Sequence, residues 1–209
     1  MSPRRCVIVG GAAIDDYACV KVGLKPDDFF IYCDSGLRHL SALGVPPDLV
    51  VGDFDSHEPP QLMVETIRLP REKDDTDTMF AAREAVRRGF LEVLLLGVVG
   101  RRLDHSLGNV SILFWLAHQG VRGEIWDDYS RMEVVEREAT VDPRYPYFSL
   151  LNLTGTARGV TIEGAKFPLC RAELPCDYAY GVSNEPLPGV SAKITLEMGE
   201  LLLIKVLRP

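Results

Sequence analysis

Over the first two thirds of the chain, short apolar runs alternate with longer stretches whose apolar residues recur at helical spacing. Residues 6–9 read as a buried strand ending in Gly10-Gly11, residues 29–33 as a second strand and residues 49–51 as a third. The strongest run, 91–99, is bounded by Gly89 and Gly100. Uninterrupted runs of this kind suit strands covered on both faces, as in a parallel sheet. Helices are predicted over 36–43, 76–88 and 106–119. In the second of these, Met79, Ala82 and Val86 share one face and charges take the other. Alternating strand and helix predicts an α/β domain with a mostly parallel open sheet, whose ligands sit beyond the carboxyl ends of the strands.

From about residue 125 the texture changes. Short strand-like runs at 132–135, 148–153, 159–162, 193–196 and 201–206 alternate with Gly, Pro and Asn turns, the pattern of a small all-β antiparallel domain. The expected organisation is therefore an α/β domain over 1–124 followed by a β-domain over 125–209. No low-complexity linker and no internal repeat separates them.

Composition narrows the function classes. The net charge is −7, which disfavours a general nucleic-acid surface, since that needs clustered Lys and Arg; a local basic pocket remains compatible. No apolar run reaches the ~20 residues of a membrane helix. The basic start leads into an apolar stretch too short for a signal peptide, so a cytoplasmic protein with no membrane partner is expected. Five cysteines, Cys6, Cys19, Cys33, Cys170 and Cys176, lack any C-x-x-C spacing and read as reduced thiols. Four scattered histidines do not make a metal site.

The candidate chemistry lies in the acids. Asp34 follows the second strand, Asp53 and Asp55 follow the third, Asp74, Asp75 and Asp77 open the second helix, and Asp104 follows the strongest strand. Any one of these is explained as a helix N-cap or a turn residue. All of them on one rim of an open sheet is harder to explain that way, because clustered carboxylates repel and raise one another's pKa. Mg²⁺ would relieve the repulsion, since it takes oxygen ligands and pairs one or two carboxylates with substrate phosphates. The Asp53-Phe54-Asp55 alternation would set both carboxylates on one side if the segment is extended, with Phe54 pointing inward. Lys73 and Arg102 are either phosphate-holding cations or solvated surface residues. No G-x-x-x-x-G-K-[ST] and no G-x-S-x-G is present, which disfavours P-loop and α/β-hydrolase chemistry.

Taken together, Asp34-Ser35-Gly36, the run from Pro47 to Ser56 containing Gly52-Asp53-Phe54-Asp55-Ser56, Lys73-Asp74-Asp75-Thr76-Asp77, Gly100-Arg101-Arg102-Leu103-Asp104-His105, the run from Gly159 to Leu169 and Ser183-Asn184-Glu185 resemble the thiamine pyrophosphokinase family in order and spacing. The resemblance spans roughly residues 30 to 206. It implies transfer of an intact diphosphate from ATP to the hydroxyl of thiamine, giving thiamine diphosphate and AMP, with Mg²⁺ required. It also implies a C-terminal β-sandwich that binds thiamine, and a homodimer with active sites at the subunit interface. By resemblance, Asp53, Asp55 and Asp77 would form the metal sphere and, with Asp74, the catalytic set. Asp34, Gly36, Ser56, Thr76, Arg102, Asp104 and His105 would face the nucleotide. Lys73, Asp74, Ser183 and Asn184 would face thiamine.

The proton acceptor stays open between Asp53 and Asp74. His105 also reads as a helix-start residue bonded to backbone, and Ser183-Asn184 as a polar turn before Pro186. Two departures from the family pattern bear on the nucleotide: Ser35 and Arg101 stand where glycine is common, and Ser35 would be costly at a positive φ. A diphosphokinase with another acceptor, such as a pterin, and a non-catalytic nucleotide or thiamine diphosphate sensor are the rival readings.

Overall fold

A computed structural model describes residues 5–54, 63–70, 72 and 74–208. The chain divides into two compact units, Met1–Asp128 and Tyr129–Pro209.

In the first unit, β1 (Cys6–Val9), β2 (Phe29–Cys33), β3 (Leu49–Gly52), β4 (Glu65–Arg68), β5 (Glu92–Leu96) and β6 (Arg122–Trp126) pair in parallel. Their order is β6-β5-β1-β2-β3-β4. The chain moves outward from β1 through β4, then returns to the other side of β1 as β5. The switch in direction therefore falls between β1 and β5. Every residue of β1 and β3 is buried, which accounts for their unbroken apolar sequence. β4 instead reads Glu-Thr-Ile-Arg and is largely exposed, as suits the edge.

Helices α1 (Tyr17–Lys21), α2 (Leu40–Leu43), α3 (Asp77–Arg87) and α4 (Leu103–His118) connect the strands, and a 3-10 turn over Asp34–His39 leads into α2. The helix expected over 36–43 is thus a 3-10 turn followed by one α turn. α4 starts three residues before the predicted Ser106, at a cap, Arg102, with no side-chain hydrogen bond. Gly123 of β6 belongs to this unit, whose sheet runs on to Trp126, past the division expected at 124.

At the far end of α3 from its N-terminus, Glu84 is buried and accepts two hydrogen bonds from Arg87, both 2.6 Å, and one from Arg88 at 2.7 Å. Arg88 also reaches Glu65 of β4. Hydrogen bonds from Arg87 lead in lowering the Glu84 pKa from 4.5 to about 2, with Arg88 adding to the effect. A depressed carboxyl stabilises the fold above its unfolded pKa and loses that contribution as pH falls toward 2. Glu84→Gln is expected to cost roughly 2 kcal/mol at pH 7 and to flatten the loss of stability between pH 4.5 and 2. Urea melts across that range check it.

The second unit holds two antiparallel ladders. One has the order β12 (Gly181–Asn184), β9 (Tyr147–Leu151), β14 (Leu201–Val206), β7 (Ser130–Val135); the other has β11 (Leu169–Pro175), β10 (Thr156–Glu163), β13 (Ala192–Thr195), β8 (Glu138–Val141). Val135, Phe148, Leu150, Leu201 and Leu203 from the first ladder share one core with Val141, Val160, Ile162, Leu174 and Ile194 from the second. The alternating burial along β9 and β10 is that of strands with one face inward.

Candidate active site

Because β1, β2, β3 and β5 run parallel, their carboxyl ends form one edge. The loops leaving that edge carry Gly10-Gly11, Asp34, Asp53 and Gly97. α3 and α4 follow β4 and β5, so their N-termini start from the same edge and bring Thr76, Asp77 and Asp104 toward it.

Glycines make the edge tight. A Cβ on Gly36 would land on the carbonyl of Val9, and one on Gly52 would strike the Asp34 side chain. Gly36 thus lets the 3-10 turn lie against the end of β1. Gly52 makes room for Asp34, which is only 7% exposed and sits beside the backbone that leads to Asp53. Ser35 is not at a positive φ: among the described residues the non-glycine cases are Phe54, Arg171 and Ser183. The serine is therefore unstrained, and its side chain fills the space a Cβ on Gly11 would need. Arg101 is exposed.

Phe54 has φ 52° and is 5% exposed. Its ring points inward as the sequence suggested, but the backbone turns at this residue. The backbone at Phe54 is therefore in the left-handed region rather than extended, and alternation does not set the direction of the Asp53 carboxylate. Such a conformation is rare for a bulky residue and gathers at functional sites. Asp55, Ser56 and Lys73 lie outside the described residues.

Asp74, Thr76, Asp104 and His105 meet around a cavity of about 460 Å³ between the start of α3 and the first three turns of α4. Met79, Ile112 and Trp115 supply its apolar lining, and Asp75 and Asn109 add polar groups. Thr76 caps α3, accepting from the Met79 N–H at 3.2 Å, so that the hydroxyl expected to face a nucleotide also starts the helix. Asp75 pairs with Arg83 at 3.0 Å, and the Arg83 guanidinium lies over the Trp115 ring at 5.5 Å. The spacing His105, Asn109, Ile112, Trp115 is one helical face, a signal that would have extended the sequence reading beyond Asp104-His105.

Arg102 and Asp104 hold each other through two hydrogen bonds of 2.9 and 2.6 Å, both side chains largely exposed. The guanidinium holds the Asp104 carboxyl well below the usual carboxylate range, and the carboxylate raises Arg102 in turn. The loop before them is fastened from α4. Asn109, buried, donates to the Val98 carbonyl at 2.7 Å, and Ser106 accepts from the Gly100 N–H at 3.0 Å. Asn109 carries no local sequence signal, and Ser106 reads there only as the start of the predicted helix.

In the second unit, Ser183 is exposed with φ 60°, and its N–H donates to Ser149 Oγ at 3.1 Å. Asn184 is buried, and its carboxamide is used on backbone. It accepts from the N–H groups of Phe167 and Glu185 at 3.0 and 2.9 Å and donates to the Phe167 carbonyl at 2.8 Å. Asn184 thus fixes the 165–169 segment. Its replacement by Ala is expected to cost about 2–3 kcal/mol, because the backbone groups of Phe167 lose their partner. A thermal melt checks this.

Among the described residues, no three His, Cys, Asp or Glu side chains gather closely enough to hold a metal by themselves. Mg²⁺ asks for less, one or two carboxylates with water and phosphate oxygens completing the octahedron. Asp34, Asp53 and Asp77 offer the all-oxygen donors such an ion takes. No helix among the described residues is long and apolar enough to cross a membrane.

An open parallel sheet with carboxylates and glycine turns along its carboxyl edge, followed by an antiparallel β-unit, is an α/β domain with an appended β-domain. The thiamin pyrophosphokinase catalytic domain matches residues 21–125, and the thiamin pyrophosphokinase vitamin B1 binding domain matches 133–201. The chain belongs to the thiamine pyrophosphokinase family, a family of transferases. Thiamine pyrophosphokinase from Bacillus subtilis is 26% identical over 165 residues, covering 75% of this chain and 77% of that one. The crystal structure of the Bacillus subtilis enzyme shares the fold, with TM-score 0.86 at 22% identity over 97% of this chain and 99% of that chain. Thiamin pyrophosphokinase from Geobacillus thermodenitrificans superposes with TM-score 0.83 at 28% identity, covering 97% of each chain.

Proposed function

We propose that the protein transfers the diphosphate of ATP to the hydroxyl of thiamine, releasing AMP, with Mg²⁺ as the resident ion. Family membership supports the reaction, and the single structural observation that carries it is the acidic edge formed by Asp34, Asp53 and the start of α3. Asp53, Asp77 and Asp55 are the residues that would hold Mg²⁺, which would supply charge neutralisation at the ATP phosphates. The thiamine hydroxyl oxygen bonds to the β-phosphorus, the bond from that phosphorus to the bridging oxygen of AMP breaks, and AMP leaves with the electron pair. Asp53 or Asp74 takes the hydroxyl proton. Positioning and electrostatics supply most of the rate.

Arg102, freed from Asp104 by a competing phosphate, holds the nucleotide together with Asp34, Gly36, Ser56, Thr76 and His105. The carboxylates favour a cationic acceptor, and Asp74, Lys73, Ser183 and Asn184 are its side of the site, Asn184 by shaping backbone. The enzyme works in the cytoplasm as a homodimer. An acceptor competition tests the reading: with ATP and Mg²⁺, thiamine is expected to be consumed in preference to a hydroxymethyl pterin. Preference for the pterin would overturn the acceptor.

A further inference from the structure

Neither strand-end motif nor domain match includes the loop after β1, Gly10-Gly11-Ala12-Ala13, yet it stands at the direction switch of the sheet. In open α/β sheets that switch is where the crevice for a ligand forms, because neighbouring loops there leave in opposite directions. On the β1 side the loop is Gly10 to Ala13; on the β5 side it is Gly97 to Gly100. The two are closed against each other. Gly10 donates to the Leu96 carbonyl at 2.8 Å, Ala12 donates to the Gly97 carbonyl at 2.7 Å, and a Cβ on Gly10 or on Gly97 would meet the other's carbonyl at 2.7 Å.

One side chain sets this pair of loops from behind. His39, at the end of the 3-10 turn, is 2% exposed. Its Nε2 lies 2.9 Å from the Ala12 carbonyl and its Nδ1 lies 2.7 Å from the Tyr17 hydroxyl. A carbonyl only accepts, so Nε2 carries the proton and Nδ1 accepts from Tyr17. Burial, aided by the charge of Arg38, pushes the imidazole pKa down, so the ring is neutral as this pattern requires. The chain beyond the loop is also anchored, as the Asp128 carboxylate accepts from the N–H groups of Asp15 and Asp16 at 2.9 and 2.8 Å.

We infer that the Gly10–Ala13 loop is part of the nucleotide site and that His39 is its positioning residue, acting through the Ala12 carbonyl. The inference rests on the proposed nucleotide reading. A buried imidazole bridging a loop carbonyl and the Tyr17 hydroxyl is understandable if the loop must hold a fixed backbone geometry for a ligand at the switch.

Titration calorimetry with a non-hydrolysable ATP analogue and Mg²⁺ tests it on wild type, His39→Asn, His39→Gln and Tyr17→Phe, each first melted to establish folding. Gln retains a donor at the Nε2 position, and Asn is too short to reach Ala12. The expected result is about tenfold weaker binding for His39→Asn and binding within threefold of wild type for His39→Gln. In turnover, the nucleotide KM should rise in His39→Asn while kcat changes little. A folded His39→Asn that binds as wild type does overturns the assignment, as does equal weakening in Asn and Gln. If His39→Asn fails to fold, Tyr17→Phe decides: threefold or weaker binding supports the role, and unchanged binding overturns it. Wild type that does not bind the analogue would sink the nucleotide reading itself, an outcome distinct from the others.

Discussion

Asp53→Asn is expected to yield a folded protein whose turnover falls by about a thousandfold, the scale on which removal of one well-placed electrostatic group acts. Asp53 directly follows β3, and the next residue is held in a left-handed turn with its ring buried. The carboxylate is therefore presented by a backbone with little freedom to shift. Asn preserves shape and hydrogen-bonding capacity but removes the charge that would hold Mg²⁺ or take the hydroxyl proton. A melting temperature near that of wild type combined with kcat lowered by three decades would support the role. Wild-type-like kinetics from the folded variant would remove Asp53 from the chemistry.

The second large effect is on the fold. A methyl at residue 36 would sit on the Val9 carbonyl, with the Gly10 carbonyl at 3.2 Å. Backbone of a central strand cannot give way as a flexible side chain can, so Gly36→Ala must displace either the 3-10 turn or the end of β1. Overpacking of this kind costs about 3 kcal/mol, the upper end of the usual range, because the obstacle is backbone. The same displacement would move Asp34 away from Gly52 and Gly10 away from Gly97, so affinity for nucleotide should fall together with stability. Gly44→Ala is a useful contrast: there a Cβ meets nothing, and only the φ of 71° resists it. Chemical denaturation of both variants checks the ranking. Equal, small losses would mean that the β1 edge is looser than described.

Much of the first unit is legible in the sequence, for a physical reason. β1, β2, β3 and β5 are buried on both faces, and burial writes itself as an unbroken apolar run. β4 and β6 are not legible in this way. Glu65–Arg68 is an exposed edge, and Arg122–Trp126 alternates charge with apolar residues, so both pair through backbone without an apolar signature. The five residues of α1 are too few to show a period. The true start of α4 is hidden because Arg102 caps it without a side-chain bond. Ser106, which looks like a cap, sits inside the helix and ties down Gly100. In the second unit, β7, β9, β10, β13 and β14 show in the sequence as apolar or alternating runs, whereas β8 and β11 give the shared core only Val141 and Leu174 among its fully buried residues and β11 exposes Cys170, Arg171 and Glu173, so neither shows.

The candidate site divides along the same line. Acids at strand ends are readable because strand ends are readable. Asp74, Thr76, Asp104 and His105 were singled out from sequence, and they line one cavity. Gly52 and Asn184 lie inside readable motifs, though their contacts with Asp34 and Phe167 do not show there. What escaped altogether are groups whose meaning depends on a distant neighbour: Asn109 on Val98 and His39 on Ala12. No local pattern marks these residues, because each acts by holding backbone far away in sequence.

The most direct test of the account is a time course of phosphorus spectra on the purified protein with ATP, Mg²⁺ and thiamine. The account predicts AMP and thiamine diphosphate appearing together, one for one, with neither formed when thiamine or Mg²⁺ is left out. ADP with thiamine monophosphate, or no AMP from protein shown to bind both substrates, would contradict it.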